Sequence, residues 1–236
     1  MDICEEFNRL SVSNTQESVV LQHLQRFEFG LDPSSLLGLV RTTKSLIAGS
    51  FILDCVLGTN YAEDIDIFVP LESQTVWMSV LQEIAEEKVH YDKHSMYGDL
   101  PGISRQIRFA ALNVMFCQDP SKVIQEFDLD LCRASYDGVQ FLRCEQVSSK
   151  RMHILRPFPV FGKGMKGLNN WRIDRIIKYH QRGFKICGTQ HLGEFIRQMG
   201  YIGQIFLPHD YDEREFTERF YVLMMHMANA PHMFEA

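Results

Sequence analysis

The sequence predicts an α/β or α+β fold in which helices pack around a sheet. Two N-terminal helices are indicated by apolar residues at helical spacing between 13 and 27, and by Asp32-Pro33, a capping residue and a first-turn proline, before a helix to Val40. Residues 64–69 alternate between polar and apolar side chains, which is typical of a half-buried strand. Two further strands are predicted at 89–95 and 105–117, separated by a loop that contains Gly and Pro.

The remaining elements follow from the same signals. Helices are predicted at 72–88, which has an apolar stripe, and at 119–127, where Asp119-Pro120 repeats the cap-and-proline pattern. Residues 128–132 alternate again and are predicted to form a strand that a turn at 136–138 ends. We expect residues 1–148 to form a core with the N-terminal helices. Residues 149–236 are expected to form a basic loop and a helical C-terminal extension, with a loop at 161–167 and helices at 171–182 and 210–230.

Length and composition describe a globular chain of 236 residues with a net charge of −6. No apolar run reaches the roughly 18 residues that a membrane span needs, and the acidic N-terminus has no signal-peptide features. We therefore expect an intracellular, cytoplasmic protein without a membrane partner, and a nuclear location is also open. The six cysteines form no C-x-x-C pair, which favours buried thiols over disulfides or a zinc site.

Asp64 and Asp66 are the most unusual feature of the chain. On a strand, both side chains lie on one face, with about 7 Å between their backbone positions. Neighbouring carboxylates raise each other's pKa unless a cation compensates them, and paired oxygen ligands suit Mg²⁺. The pattern therefore predicts a divalent-metal site. The alternative is a solvated strand end with no chemistry.

Gly49-Ser50 lies upstream, between an apolar segment and the apolar run 51–57. We expect a strand, a tight turn and a short helix, in which Gly49 allows another backbone or a phosphate to approach closely. Ser50 is predicted to cap the helix, whose free N–H groups can bind an anion. A phosphate cradle beside a carboxylate pair would suit a nucleoside triphosphate with its metal ion.

In these residues the sequence resembles the nucleotidyltransferase superfamily of the DNA polymerase β type. Gly49, Ser50, Asp64 and Asp66 match its signature in order and spacing, and the resemblance covers roughly residues 45–145. It implies a mixed sheet of about five strands and transfer of a nucleoside monophosphate from a triphosphate to a hydroxyl of RNA, a nucleotide or another acceptor. It also implies that Asp64 and Asp66 hold two Mg²⁺ (or Mn²⁺) ions, and that Gly49-Ser50 holds the β- and γ-phosphates.

The resembled family needs a third acidic residue on a neighbouring strand, and two assignments are open. Asp128 or Asp130 would bind the second metal ion and help to deprotonate the acceptor, with Asp128 preferred. Alternatively, the third position is Asn113, whose amide can ligate a metal ion but cannot accept a proton at neutral pH. That assignment describes a catalytically degenerate protein that binds nucleotide or RNA as a regulatory or structural subunit.

Residues 150–190 carry ten basic side chains and one acidic side chain, Asp174, so their net charge is +9 within an acidic chain. In the predicted helix 171–182, Arg175, Lys178 and Arg182 fall on one face with Trp171. We expect this face to bind the triphosphate or the backbone of RNA or another nucleic acid. The alternative for this segment is a solvated basic face. A further alternative for the whole chain is a metal-independent interaction domain, in which Asp64 and Asp66 have no functional role.

Overall fold

The computed structural model describes residues 15–84, 102–155 and 174–187. The chain divides into two compact units, of which the first contains Met1–Phe127 and Leu131–Ser148, and the second contains Asp128–Asp130 and Ser149–Ala236. The predicted strand 89–95, the loop 161–167 and the helix 210–230 lie outside the described residues. No helix in the described ranges is long and apolar enough to cross a membrane.

The helices of the first unit are α1 (15–24), α2 (Pro33–Thr42), α3 (Ser50–Leu57), α4 (Gln74–Ile84), α5 (Pro120–Gln125) and α6 (Glu145–Ser148). Its strands are β1 (Leu46–Ala48), β2 (Ile65–Pro70), β3 (Ile103–Phe109), β4 (Leu112–Cys117), β5 (Ser135–Tyr136) and β6 (Phe141–Leu142). The 3₁₀ turns are Leu71–Ser73 and Asp130–Arg133.

These strands form one six-stranded sheet in the order β3-β4-β2-β1-β5-β6. Strands β2 and β4 are parallel, whereas the other neighbours are antiparallel. A mixed sheet with helices confirms the predicted α+β fold class. The parallel pair matters most for the site, because it sets which residue of β4 lies beside Asp66.

The helix signals in the first half of the chain are largely confirmed. Asp32 caps α2 by accepting a hydrogen bond from the Ser35 N–H at 3.0 Å, and Pro33 opens the helix. Asp119 caps α5 in the same way. Helix α4 begins after the 3₁₀ turn, two residues later than predicted, and the end of the predicted helix 72–88 lies outside the described residues.

The predicted strand 105–117 is wrong as a single element, because the chain forms a hairpin of β3 and β4 there. Phe109 pairs with Leu112, and Ala110 in the turn has a left-handed φ of +49°. The turn has no Gly, Asn or Pro, the residues that usually mark such a reversal. Alternation on both sides of it therefore looks like one continuous strand in the sequence.

The second unit contains β7 (Arg151–His153) and β8 (Lys185–Cys187), a parallel pair, with helix α7 (174–181) before β8. The predicted strand 128–132 is wrong. Only Leu129 makes a strand-like bridge, to Ile154, and the chain then enters the 3₁₀ turn Asp130–Arg133. The predicted helix 171–182 is present in its described part.

Candidate active site

One polar row crosses the sheet of the first unit. Ala48 of β1 pairs with Asp66 of β2, Asp66 pairs with Asn113 of β4, and Asn113 pairs with Arg108 of β3. Side chains of directly paired residues lie on the same face of a sheet. The row therefore places a carboxylate, an amide and a guanidinium side by side on adjacent strands, with Arg108 at its exposed end.

Asp64 and Asp66 converge on the amide of Asn113. The Nδ2 atom of Asn113 donates to Oδ2 of Asp64 at 2.8 Å and to Oδ1 of Asp66 at 3.1 Å. Asp66 is 5% exposed and Asn113 is 4% exposed, whereas Asp64, just before β2, is half-buried. The two carboxylates thus share one face, as the alternating pattern predicts, and the third member of their cluster is neutral.

Gly49 lies directly against the Asp66 carboxylate. Its φ is +77°, and a Cβ atom added there would collide with Oδ2 of Asp66. Gly49 is also the residue that caps α3, without a side-chain hydrogen bond, so the prediction that Ser50 caps the helix is wrong. Ser50 is instead the first helical residue and is buried. The positive end of α3 therefore begins beside the carboxylate pair.

Asp54 holds the loop that leads into Asp64. It is 1% exposed, accepts hydrogen bonds from the Thr59 hydroxyl at 2.6 Å and the Ala62 N–H at 2.7 Å, and lies 3.5 Å from the Arg26 guanidinium. Burial alone would raise the pKa of Asp54, but these hydrogen bonds, one from the Tyr61 backbone and the charge of Arg26 hold the pKa below its ordinary value. Asp54 therefore remains ionised and fixes the approach to the site.

Asp128 and Asp130 belong to the second unit, where each has its own partner. Oδ1 of Asp128 lies 2.6 Å from Nη1 of Arg175, and both side chains are largely buried. Asp130 accepts from the backbone N–H of His153 at 2.7 Å, and its other oxygen lies 2.6 Å from Nδ1 of the same residue. The structure thus pairs Asp128, the preferred third acid, with Arg175, one of the predicted phosphate-binding residues.

The other two predicted basic residues lie around Tyr179. Lys178 is exposed on α7, with its ammonium 6.0 Å from the centroid of the Tyr179 ring, and the guanidinium of Arg182, half-buried after α7, lies 5.6 Å from the same centroid. Trp171 lies outside the described residues. Arg175 points to Asp128, so the described part of the predicted basic face is divided by an internal ion pair.

The chemistry of the donor set fits a hard divalent cation. Asp64 and Asp66 supply carboxylate oxygens, and Asn113 carries an amide oxygen that rotation can present. Such ligands suit Mg²⁺ and Mn²⁺. In the described ranges, no group of three or more His, Cys, Asp or Glu side chains could hold a metal ion.

The Cys117 thiol at the end of β4 is buried, and burial raises its pKa to about 12, which keeps it a neutral thiol.

Sequence reasoning did not single out Arg108 or Asp54. Arg108 gives no local signal, because its position beside Asn113 depends on the hairpin and on the parallel pairing of β4 with β2. Asp54 does give a signal, since it is an acidic residue inside the apolar helix sequence SFILDCVL. A carboxylate at such a position needs hydrogen-bonding partners, which the polar loop after α3 supplies.

No protein-family model and no curated protein matches the sequence. Solved structures do. A CCA-adding enzyme in an apo form superposes with a TM-score of 0.54 at 14% identity, covering 91% of this chain and 53% of that chain. A complex of a CCA-adding enzyme with ATP gives 0.52 at 16%, covering 89% and 53%. This chain has a nucleotidyltransferase fold.

The Thermotoga maritima CCA-adding enzyme complexed with tRNA is similar to the same extent, with a TM-score of 0.52, 14% identity and coverage of 86% of this chain and 52% of that chain. At these identities the likeness shows the fold alone. The chain also spans only about half the length of these enzymes. The reaction, the substrates and the partners of this chain therefore depend on its own residues.

Proposed function

We propose that this chain is a metal-dependent nucleotidyltransferase that transfers a nucleoside monophosphate from a nucleoside triphosphate to a hydroxyl acceptor. One observation carries the proposal. The carboxylates of Asp64 and Asp66 converge on one atom, next to a glycine whose missing Cβ leaves room for Asp66 and at the start of helix α3. This arrangement combines a place for a cation with backbone N–H groups for an anion.

In the proposed reaction, Asp64 and Asp66 would hold Mg²⁺ or Mn²⁺, and the ion would supply positive charge against the triphosphate and the leaving pyrophosphate. The N–H groups at Gly49 and Ser50 donate to the β- and γ-phosphates. The acceptor hydroxyl gives its proton to water and its oxygen bonds to the α-phosphorus, while the bond between the α-phosphorus and the bridging oxygen breaks and pyrophosphate leaves. Arg108, at the exposed end of the row, is placed to pair with a phosphate.

The third acid stays a prediction. Asp128 or Asp130 could take the acceptor's proton only after giving up an existing partner, Arg175 or His153. Removing one member of a buried ion pair is costly, because the other charge is left without compensation. These pairs favour a structural role for both aspartates within the second unit.

RNA is the proposed acceptor class. The basic segment 150–190 has a net charge of +9 in an acidic chain, which suits a polyphosphate backbone. Lys178 and Arg182 lie next to the Tyr179 ring in the described part of this segment. The similar CCA-adding enzymes, one complexed with tRNA and another with ATP, are consistent with an RNA acceptor and a nucleotide donor.

A second candidate function is favoured by Asn113. The residue in register with Asp66 on the neighbouring parallel strand is an amide, which cannot serve as a base at neutral pH. A protein with this site could bind a metal–nucleotide complex without transferring the nucleotide. It would then act as a nucleotide-binding or RNA-binding regulatory or structural subunit.

Thermal unfolding with each triphosphate, with and without Mg²⁺ or Mn²⁺, tests nucleotide binding without knowledge of the acceptor. A ligand at 100 times its Kd stabilises the folded state by about 2.7 kcal/mol, or roughly 5 °C or more for a domain of this size. The double variant Asp64→Asn/Asp66→Asn should lose the shift. Glu63→Gln, an exposed acidic residue beside Asp64, is the matched control and should keep it.

Transfer is then tested with α-³²P-labelled triphosphates and a pool of short RNAs with free 3′ hydroxyls. Labelled RNA and released pyrophosphate from the wild type, absent from the double variant, would support the enzyme. A metal-dependent thermal shift with no transfer to any acceptor would favour the second candidate function. Absence of any shift at millimolar triphosphate and metal would contradict both.

A further inference from the structure

The Asn113 amide faces the two carboxylates through its nitrogen. An amide nitrogen has two hydrogens to donate, and each carboxylate accepts one of them. A cation in that position would repel the N–H groups. Rotation of the terminal amide by about 180° exchanges nitrogen and oxygen at nearly the same positions, because this torsion is broad and roughly two-fold.

We propose that Asn113 is a metal ligand through Oδ1, and that the site holds one divalent ion instead of two. This inference rests on the proposed function and specifies how its site departs from the resembled family. Its first support is charge. The cluster supplies two negative charges and a neutral amide, which match one divalent cation. A second ion about 3.5–4 Å from the first would need further anionic ligands to offset their mutual repulsion.

The second support is the position of Gly49. Oδ2 of Asp66 lies against Gly49, whereas Oδ1 faces Asn113 and Asp64. A carboxylate that bridges two ions uses its two oxygens on two sides. Because Gly49 lies next to Oδ2, Oδ1 is the Asp66 oxygen on the side that Asp64 and Asn113 share. The geometry therefore favours three oxygen ligands around one ion.

The third support is Arg108. It pairs with Asn113 across the β3–β4 hairpin, so its positive charge is on the same face and next to the amide. A positively charged side chain at this point further disfavours a second divalent ion. It can also compensate phosphate charge that a second ion would otherwise neutralise. The row thus ends in a guanidinium beside a single-ion cluster.

Electron paramagnetic resonance of Mn²⁺ on the full chain tests the inference directly, first with Mn²⁺ alone and then with a non-hydrolysable ATP analogue. The wild type should bind one Mn²⁺ per chain with an uncoupled spectrum. Asn113→Asp should bind a second ion and show the magnetic coupling of a close pair. Asn113→Leu, which removes the oxygen, should weaken Mn²⁺ binding about tenfold or more.

Gln106→Leu is the matched control, because Gln106 is an amide on the same face of β3 whose Oε1 has no hydrogen-bond partner. It should bind Mn²⁺ as the wild type does, and thermal unfolding should show that every variant is folded. A coupled pair in the wild type would overturn the single-ion inference and leave the proposed function intact. Unchanged affinity in Asn113→Leu would overturn the ligand role. Absence of Mn²⁺ binding by folded wild type would overturn the inference and the proposed function together.

Discussion

The chain contains the pattern Asp-x-Asp three times, and the two copies within the described residues have different surroundings. Asp64 and Asp66 lie together on one sheet face, and a neutral amide bridges them. Asp128 and Asp130 lie in the second unit, where Arg175 contacts the first and His153 the second. Both carboxylates of the first pair converge on a neutral amide, an arrangement that suits a cation, whereas the carboxylates of the second pair contact a guanidinium and an imidazole. Asp-x-Asp spacing alone does not predict a metal site. The side chains that neighbouring elements bring to the two carboxylates also determine whether a cation can bind.

Asp128→Asn should have the largest effect on stability among the single substitutions that distinguish the two aspartate pairs. It leaves Arg175 without its carboxylate, and loss of one partner from a largely buried ion pair costs about 3 kcal/mol of unfolding free energy. Denaturant unfolding measures this loss, and Mn²⁺ affinity should stay at the wild-type value. The double variant Asp128→Asn/Arg175→Met should recover part of the stability. Loss of Mn²⁺ binding in a stable Asp128→Asn protein would instead make Asp128 the third acid of the site.

Gly49→Ala should disrupt the first pair. The alanine must adopt a positive φ and displace the Asp66 carboxylate, so we expect a loss of about 2 kcal/mol in stability and of most metal-dependent nucleotide binding. Gly58→Ala is the control, since Gly58 also has a positive φ of +66° but has open space around it. Gly49 has a ψ of −156° and Gly58 a ψ of +33°, so Gly49→Ala is the more strained variant and nucleotide binding at a temperature where both variants are folded is the property to compare. Equal nucleotide binding by the two variants would show that contact with Asp66 is unimportant.

The sequence predicted that Asp64 and Asp66 share one face and that a glycine turn precedes α3. Asp-Pro caps located α2 and α5. Sequence reasoning failed where tertiary pairing decides the outcome. The Ala110 turn has no turn residue, so one strand was predicted where two exist. Asn113 could be offered only as an alternative, because its place beside Asp66 follows from the parallel register of β2 and β4.

Arg108→Gln should have a smaller effect, confined to the affinity for the triphosphate bound at the first pair. Loss of a guanidinium that pairs with a phosphate costs about 1–2 kcal/mol, or roughly a five- to thirtyfold increase in the Kd for the triphosphate. Equilibrium dialysis with labelled ATP and Mg²⁺ measures the change, and stability should be unaffected because Arg108 is exposed. Arg105→Gln, on the same strand, is a matched control. An unchanged Kd in Arg108→Gln would remove Arg108 from the site.

The smallest expected effect concerns the Asp54 cluster behind the first pair. Burial first and the charge of Arg26 second lower the pKa of His23, and Asp54 only partly offsets them. As pH falls below 6.5 the unfolded chain binds a proton before folded His23 does, so this contribution to stability is present above pH 6.5 and decreases below it. Melting temperature from pH 7.5 to 5.5 should fall more steeply for the wild type than for His23→Gln. Parallel curves would exclude His23 as the cause.

The central claim is that the first aspartate pair, and not the second, binds the metal–nucleotide complex. Fluorescence anisotropy of a labelled, non-hydrolysable ATP analogue with Mg²⁺ tests it by comparing Asp64→Asn/Asp66→Asn with Asp128→Asn/Asp130→Asn, both confirmed as folded at the assay temperature. We expect Mg²⁺-dependent binding to be abolished in the first double variant and retained within about threefold of wild type in the second. Retained binding in the first double variant, with loss in the second, would contradict the account.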